Sequence, residues 1–188
     1  MATVAFPVTL WIHLTETSTK QFCMTRKDEL IETLALRPHP EGGFFKETYR
    51  SGASMTFPTF DGQRSISTGI YFLLGGNDMS HFHRIKSDEM WHHYEGSALT
   101  IHLIHEDGMY EALHLGKNVQ NGEAFQHVVP AGAWFGATVD DSDGYTLAGC
   151  TVAPGFDFSD FEMAERYQML QAFPEHESII KKLTTSLK

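Results

Sequence analysis

The sequence predicts an all-β domain with short α-helices on either side of it. Between Gly42 and Cys150 the apolar residues show no helical period, and short runs rich in Phe, Tyr, Ile, Val and Thr alternate with Gly, Asn and Asp. So many short strands in about a hundred residues indicate a sandwich, a jelly roll or a small barrel. Strands are expected at residues 44–50, 65–74, 80–83, 89–94, 99–105, 109–115, 125–129, 133–138 and 145–152.

Helices are predicted only near the two ends of the chain. Thr25 and Asp28 form a capping-type start for apolar residues at helical spacing, and Pro38 stops that run. Ser159 and Glu162 match a capping box before a second helix, which Pro174 would end. A last helix with apolar residues at positions 179, 180 and 183 closes the chain.

The length of 188 residues favours one domain, which we expect over residues 25–188. Residues 1–24 are expected to form an N-terminal extension. Positions 6, 8, 10 and 12 are apolar, as in a strand, so the extension is either an extra edge strand or partly disordered.

Charge and cysteine content exclude several classes of protein. The formal net charge is −10 and no Lys/Arg cluster occurs, which argues against nucleic acid and anionic membranes as partners and favours a small-molecule ligand. The apolar residues 4–14 are too few to span a bilayer, which needs about 20. Cys23 and Cys150 lack disulfide-type or metal-type spacing, so a cytoplasmic, reducing location is expected.

His81, His83 and Glu89 form the main candidate site. The two histidines are two positions apart, so on a regular strand both imidazoles leave by the same face. A polar turn follows, and an antiparallel return strand would bring the Glu89 carboxylate beside them. Two imidazoles and one carboxylate with open positions are a ligand set for a divalent metal such as non-haem iron.

This stretch resembles the first conserved motif of the cupin superfamily. Cupins usually place three or four residues between the second histidine and the carboxylate, whereas five separate His83 from Glu89, unless Asp88 is the carboxylate used. The matching residues are Gly75, His81, His83, Glu89 and Gly96.

The second cupin motif resembles Pro130-Ala-Gly132-Ala-Trp-Phe135. Phe135 stands where a metal cupin has its fourth ligand, a histidine, and His127 is a candidate replacement. Four blocks in the same order, between residues 25 and 183, are similar to the cupin-5 branch, a domain of unknown function. The resemblance implies a double-stranded β-helix, the RmlC-like cupin jelly roll, which is usually a homodimer.

Two kinds of chemistry are open for this site. His81, His83 and Glu89 would hold Fe, Mn, Ni or Zn, or they would work without a metal as acid and base. Sugar-nucleotide epimerases of the cupin superfamily act without metal through a His and a Tyr. Candidate acids here are Tyr49, Tyr71 and Tyr94.

Further residues are candidates for ligand binding in the same pocket. Arg64 is the expected anchor for an anionic substrate, because its planar fork matches a carboxylate or a phosphate. The others are Glu47, Trp91, His93, Gln126 and Phe135. We therefore expect a metal-assisted or acid/base enzyme, epimerase/isomerase-like or oxygenase-like, of unknown substrate. The alternative is a non-catalytic cupin that binds a small ligand without metal.

Overall fold

A computed structural model of the chain describes residues 24–185, most of which lie in short strands. The α-helices of this part are α1 (Arg26–Thr33), α2 (Arg166–Ala172) and α3 (Glu177–Leu183). The first strands are β1 (Arg37–Pro38), β2 (Phe44–Arg50), β3 (Ser54–Thr56), β4 (Gln63–Ser65), β5 (Thr68–Gly75), β6 (Met79–Ile85) and β7 (Asp88–Gly96). They are followed by β8 (Leu99–Ile104), β9 (Tyr110–Leu115), β10 (Gln126–Val129), β11 (Trp134–Val139), β12 (Tyr145–Ala153) and β13 (Phe161–Met163).

Two antiparallel sheets build the fold. A six-stranded sheet has the order β1-β2-β5-β12-β7-β10, and a five-stranded sheet has the order β13-β6-β11-β8-β9. Their inner faces share one core, in which Phe72 and Trp91 of the first sheet lie with Leu103 and Phe135 of the second. The predicted all-β class is confirmed, since the alternating side chains of both sheets bury one face each.

The two C-terminal helices cover the outer face of the five-stranded sheet. Phe82 of β6 and Ile104 of β8 pack there against Met169, Ile180 and Leu183. Both faces of β8 are consequently buried. Thr25 is the N-cap of α1 and forms the predicted capping box. The helix packs on the outer face of the other sheet, where Leu30 clusters with Leu73 and Leu147.

The helix predicted after Ser159 is wrong in its start. A 3-10 turn occupies Phe158–Asp160, β13 follows, and α2 begins only at Arg166. The Ser159 hydroxyl donates to Asp157 at 2.7 Å instead of capping a helix. Because β13 pairs with β6, sheet hydrogen bonds replace the local capping box. The end of the helix before Pro174 is confirmed.

The predicted N-terminal extension lies almost wholly outside the described residues, and so does Cys23. Its alternatives, an edge strand or disorder, stay predictions. None of the helices between residues 24 and 185 is long and apolar enough to cross a bilayer.

Candidate acid–base site

A cavity of about 320 Å³ lies between the two sheets, and His83 and Glu89 of the main candidate site line it. Its apolar wall includes Phe45, Ile70, Phe72, Ile85, Val152 and Phe161. Its polar lining includes Arg37, His39, Glu41, Glu47, Arg50, His83, Glu89, Cys150 and Asp157. Polar and ionisable groups therefore converge between aromatic and aliphatic walls, a construction common in small-molecule sites.

Glu41 is the most highly connected side chain of the cavity. Its carboxylate accepts a hydrogen bond from Ser80 Oγ at 2.8 Å, and its Oε2 lies 3.2 Å from both His83 Nε2 and His39 Nδ1. Burial alone would raise the pKa of Glu41, but attraction to His83, a hydrogen bond with His39 and one donated by Ser80 outweigh burial and hold that pKa below its usual range. Glu41 is therefore ionised at neutral pH.

The His83 imidazole has one defined proton position and one open position. Its Nδ1 lies 2.8 Å from the His81 carbonyl oxygen, which only accepts, so Nδ1 carries a hydrogen. Its Nε2 faces the Glu41 carboxylate. Burial lowers the pKa of His83, against the attraction of Glu41. Because the His83 ring is neutral at neutral pH, no proton lies between its Nε2 and the Oε2 of Glu41. The Glu41–His83 pair can therefore accept a proton.

Glu89 has the opposite protonation state. Burial and then the negative charge of Glu41 raise the pKa of Glu89 to about 8, while a hydrogen bond with the Cys150 thiol opposes the shift. Burial also raises the pKa of Cys150 well above its usual range, so the thiol stays neutral. At neutral pH Glu89 is a buried proton donor, and the Glu41–His83 pair is a proton acceptor in the same cavity.

Two arginines line the cavity in different ways. Arg50 donates two hydrogen bonds to Glu47, at 3.0 and 2.7 Å, and one to the carbonyl of Phe156 at 3.1 Å. The guanidinium carbon of Arg37 lies 5.0 Å from the centroid of the Phe45 ring. The charge of Arg50 is thus balanced by an adjacent carboxylate, whereas Arg37 rests on an aromatic face.

A family comparison fits this architecture. The sequence model of Cupin_5, described as "Cupin superfamily (DUF985)", matches residues 28–164. The chain belongs to this cupin family. The membership inferred from the four sequence blocks is therefore confirmed.

Individual relatives of this cupin match over most of their length. An uncharacterised protein of Saccharomyces cerevisiae is 32% identical over 145 residues, which are 70% of this chain and 72% of that protein. The structure of a hypothetical protein from Leishmania major is 37% identical with a TM-score of 0.80, covering 85% of this chain and 98% of that one. A structure from Shewanella oneidensis is 39% identical with a TM-score of 0.78 and the same coverage.

The cupin histidine pair is split by a bulge in β6. Two residues between Ser80 and His83 lie opposite the single Gly136 of β11. Ser80 and His83 consequently both reach Glu41. His81 instead places Nδ1 2.7 Å from the backbone oxygen of Glu41 and does not line the cavity. The expectation that both imidazoles share one face is wrong, because it assumed unbroken alternation.

The donors present do not fit the metal site that the cupin motif implies. His81 lies outside the cavity, and His83, which lines it together with Glu89, places its Nε2 against Glu41. Within residues 24–185, no three His, Cys, Asp or Glu side chains are arranged to hold an ion. Phe135, at the motif position of the fourth ligand, packs with its ring centroid 4.0 Å from that of His83.

Arg64 lies away from the cavity. Its Nε and Nη2 donate to Asp160 at 2.6 and 3.0 Å, and Nη2 also donates to Ser159 at 2.9 Å. Arg64 and Asp160 are both buried. The guanidinium therefore holds the loop before β13, and its predicted role as a substrate anchor has no geometric support.

Of the remaining ligand-binding candidates, Glu47 lines the cavity and the others do not. Trp91 and Phe135 are buried in the core, His93 contacts the Ser97 carbonyl at 3.1 Å, and Gln126 is exposed. A ligand contact by any of them stays a prediction. The alternatives that also lie outside the cavity wall are Tyr49, Tyr71, Asp88, Tyr94 and His127.

Sequence reasoning missed Glu41, His39 and Arg37, which precede the first long strand. The available sequence signal was a carboxylate followed by two glycines, Gly42 and Gly43. In the structure both glycines have a positive φ, 113° and 68°. A Cβ on Gly42 would lie 2.2 Å from the Met79 carbonyl oxygen, so this turn packs directly on β6. The close approach brings Glu41 to His83.

Proposed function

We propose that this cupin is an acid–base enzyme of the isomerase or epimerase type, acting on a small molecule in the cavity. The observation that carries the proposal is the pair of buried carboxyl groups, Glu41 and Glu89, whose environments drive their pKa values apart. Opposite protonation states in one cavity are the arrangement expected of a catalytic acid and a catalytic base.

The proposed chemistry moves one proton in each direction. The Glu41–His83 pair accepts a proton from a substrate C–H or O–H bond, and the electron pair left behind is delocalised in the substrate. Glu89 donates a proton to another position or to the opposite face. Solvent then restores both groups. No step is assigned to a metal, because His81, His83 and Glu89 do not converge as ligands.

Exchange with deuterated water tests the proposal on many compounds at once. We expect the protein to catalyse deuterium incorporation at carbon in at least one member of a panel of small oxo acids, hydroxy acids and sugars, measured by mass spectrometry. Glu89→Gln should reduce the rate by about two to four orders of magnitude. The control Glu162→Gln, which changes an exposed carboxylate paired with Arg84, should retain it.

The second candidate is a non-catalytic binding protein. The aromatic wall favours it, since Phe45, Phe72 and Phe161 offer a ligand contact area without any reactive group. A panel member that raises Tm of wild type and Glu89→Gln equally, and exchanges no hydrogen with either, would support this candidate and contradict the enzyme.

We further propose that two copies pair through the outer face of the six-stranded sheet. Tyr49 and Tyr94 on that face are 54% and 53% exposed, and Val128 is 47% exposed. An exposed apolar sheet face is a liability that a second copy would cover. Light scattering should give about twice the chain mass of 21.2 kDa. A mass equal to one chain at micromolar concentration would contradict the dimer.

A further inference from the structure

Arg37 differs from the arginines around it in having an aromatic neighbour but no acidic one. Arg50, Arg64 and Arg84 each form an ion pair with a carboxylate. Within residues 24–185 no such pair involves Arg37, which lines the cavity and contacts the Phe45 ring. A guanidinium has five donors in a planar fork. This fork therefore has hydrogen-bonding capacity for an anion that enters the cavity.

The other charges of the cavity limit the charge of that anion. Arg50 is balanced by Glu47. Glu41 is ionised, and hydrogen bonds from Ser159 hold the pKa of Asp157 below its usual range, so Asp157 is ionised as well. The charge of Asp157 is offset in part by attraction to Arg64 and Arg50. A dianion would still meet the ionised Glu41, and of the two arginines in the cavity lining only Arg37 forms no ion pair within residues 24–185. A monoanion meets the charge of Arg37 with less repulsion, which favours a carboxylate over a phosphate.

The size and the walls of the cavity limit the rest of the molecule. A volume of about 320 Å³ is at the low end for small-molecule sites, and a sugar nucleotide needs more room. The aromatic rings of Phe45 and Phe158 flank His39, at centroid distances of 4.5 and 6.2 Å. Aromatic walls favour a flat apolar body.

We propose that the substrate of this cavity is a small, flat monocarboxylic acid whose carboxylate is bound by Arg37 and whose body lies among the phenylalanines beside Glu41, His83 and Glu89. The inference rests on the proposed function, whose substrate class it names. Arg37 acts in binding and orientation, and the proton transfers belong to the other three residues.

Matched acids and amides test the inference. The probes are benzoate, phenylacetate and 3-phenylpropanoate, each with its neutral amide, and dissociation constants are measured by NMR titration. At least one acid should bind about tenfold or more tightly than its amide, because charge-assisted hydrogen bonds to a guanidinium are strong. Arg37→Gln should abolish the preference and Arg37→Lys should retain part of it. Arg84→Gln is the control, because Arg84 also lies over an aromatic ring, Trp134, but outside the cavity.

Three results would overturn the inference: no saturable binding by any of the acids, equal affinities of acid and amide, or tighter binding of phenyl phosphate than of every carboxylate. Its failure is distinguishable from failure of the proposed function. An Arg37-dependent acid preference without deuterium exchange would support a monocarboxylic acid as the ligand and contradict the proposed enzyme. Deuterium exchange in neutral sugars, without a preference for acids over amides, would support the proposed enzyme and contradict the inferred substrate class.

Discussion

Two buried polar networks in this cupin have similar residue types and different chemistry. In the first, Arg64 donates to Asp160, to Ser159 and to the Asp61 carbonyl at 2.7 Å. In the second, Glu41 and His83 leave one proton position open, and Glu89 keeps its proton at neutral pH. The first network is saturated and lies off the cavity, whereas the second is incomplete and lines it. Buried ionisable groups indicate function only where a hydrogen-bonding position remains open to a proton or a ligand.

The largest expected effect is a loss of unfolding free energy with rising pH, caused by Glu89 of the second network. The pKa of Glu89 is about 8 in the folded protein, above that of an unfolded glutamate. Below about pH 4 both states are protonated. As the pH rises, only the unfolded chain releases the proton, so wild type should lose roughly 3–5 kcal/mol of unfolding free energy by pH 8.

Urea unfolding from about pH 5 to pH 8 measures this loss as the difference between wild type and Glu89→Gln. The isosteric amide does not titrate, so the difference should grow with pH. Glu162→Gln serves as the control and should give a constant difference. Parallel stability curves for wild type and Glu89→Gln would show that Glu89 titrates normally.

Breaking the saturated network should have the next largest effect. Asp160→Ala leaves the buried Arg64 guanidinium without its carboxylate, and we expect Tm to fall by about 5–10 °C. The matched change Glu162→Ala removes an exposed carboxylate from Arg84 and should lower Tm by less than about 2 °C. Equal shifts, measured by calorimetry, would mean that burial does not distinguish the two pairs.

The smallest effect concerns the turn that carries Glu41. Gly42→Ala introduces a side chain at a φ of 113° and a contact of 2.2 Å with the Met79 carbonyl, so a loss of about 2–3 kcal/mol is expected. Gly122→Ala is the control, because Gly122 has a φ of 86° but no atom within 4 Å of the added Cβ, and should cost about 1 kcal/mol. Denaturant unfolding compares them, and equal losses would contradict a tight contact between the turn and β6.

Most of the fold was predictable from local patterns. β2 has the predicted bounds, and β5 to β12 each overlap a predicted strand, because Gly, Asn and Asp interrupt runs of strand-forming residues. The capping box of α1 is local for the same reason, since Thr25 and Asp28 are three positions apart. The start of α2 was not predictable, because Phe161 pairs with β6 across the fold.

The sequence by itself determined the family, the sheet architecture and three cavity residues, Glu47, His83 and Glu89. Only the tertiary structure decided which charged groups meet. Arg64 was the expected anchor, but its partner is Asp160, 96 positions away. One extra residue in β6 places His81 outside the cavity lining. The turn at Gly42 and Gly43 places Glu41 within it. Strand alternation is a property of the local backbone, whereas the protonation state of a buried carboxyl depends on neighbours that are distant in the chain.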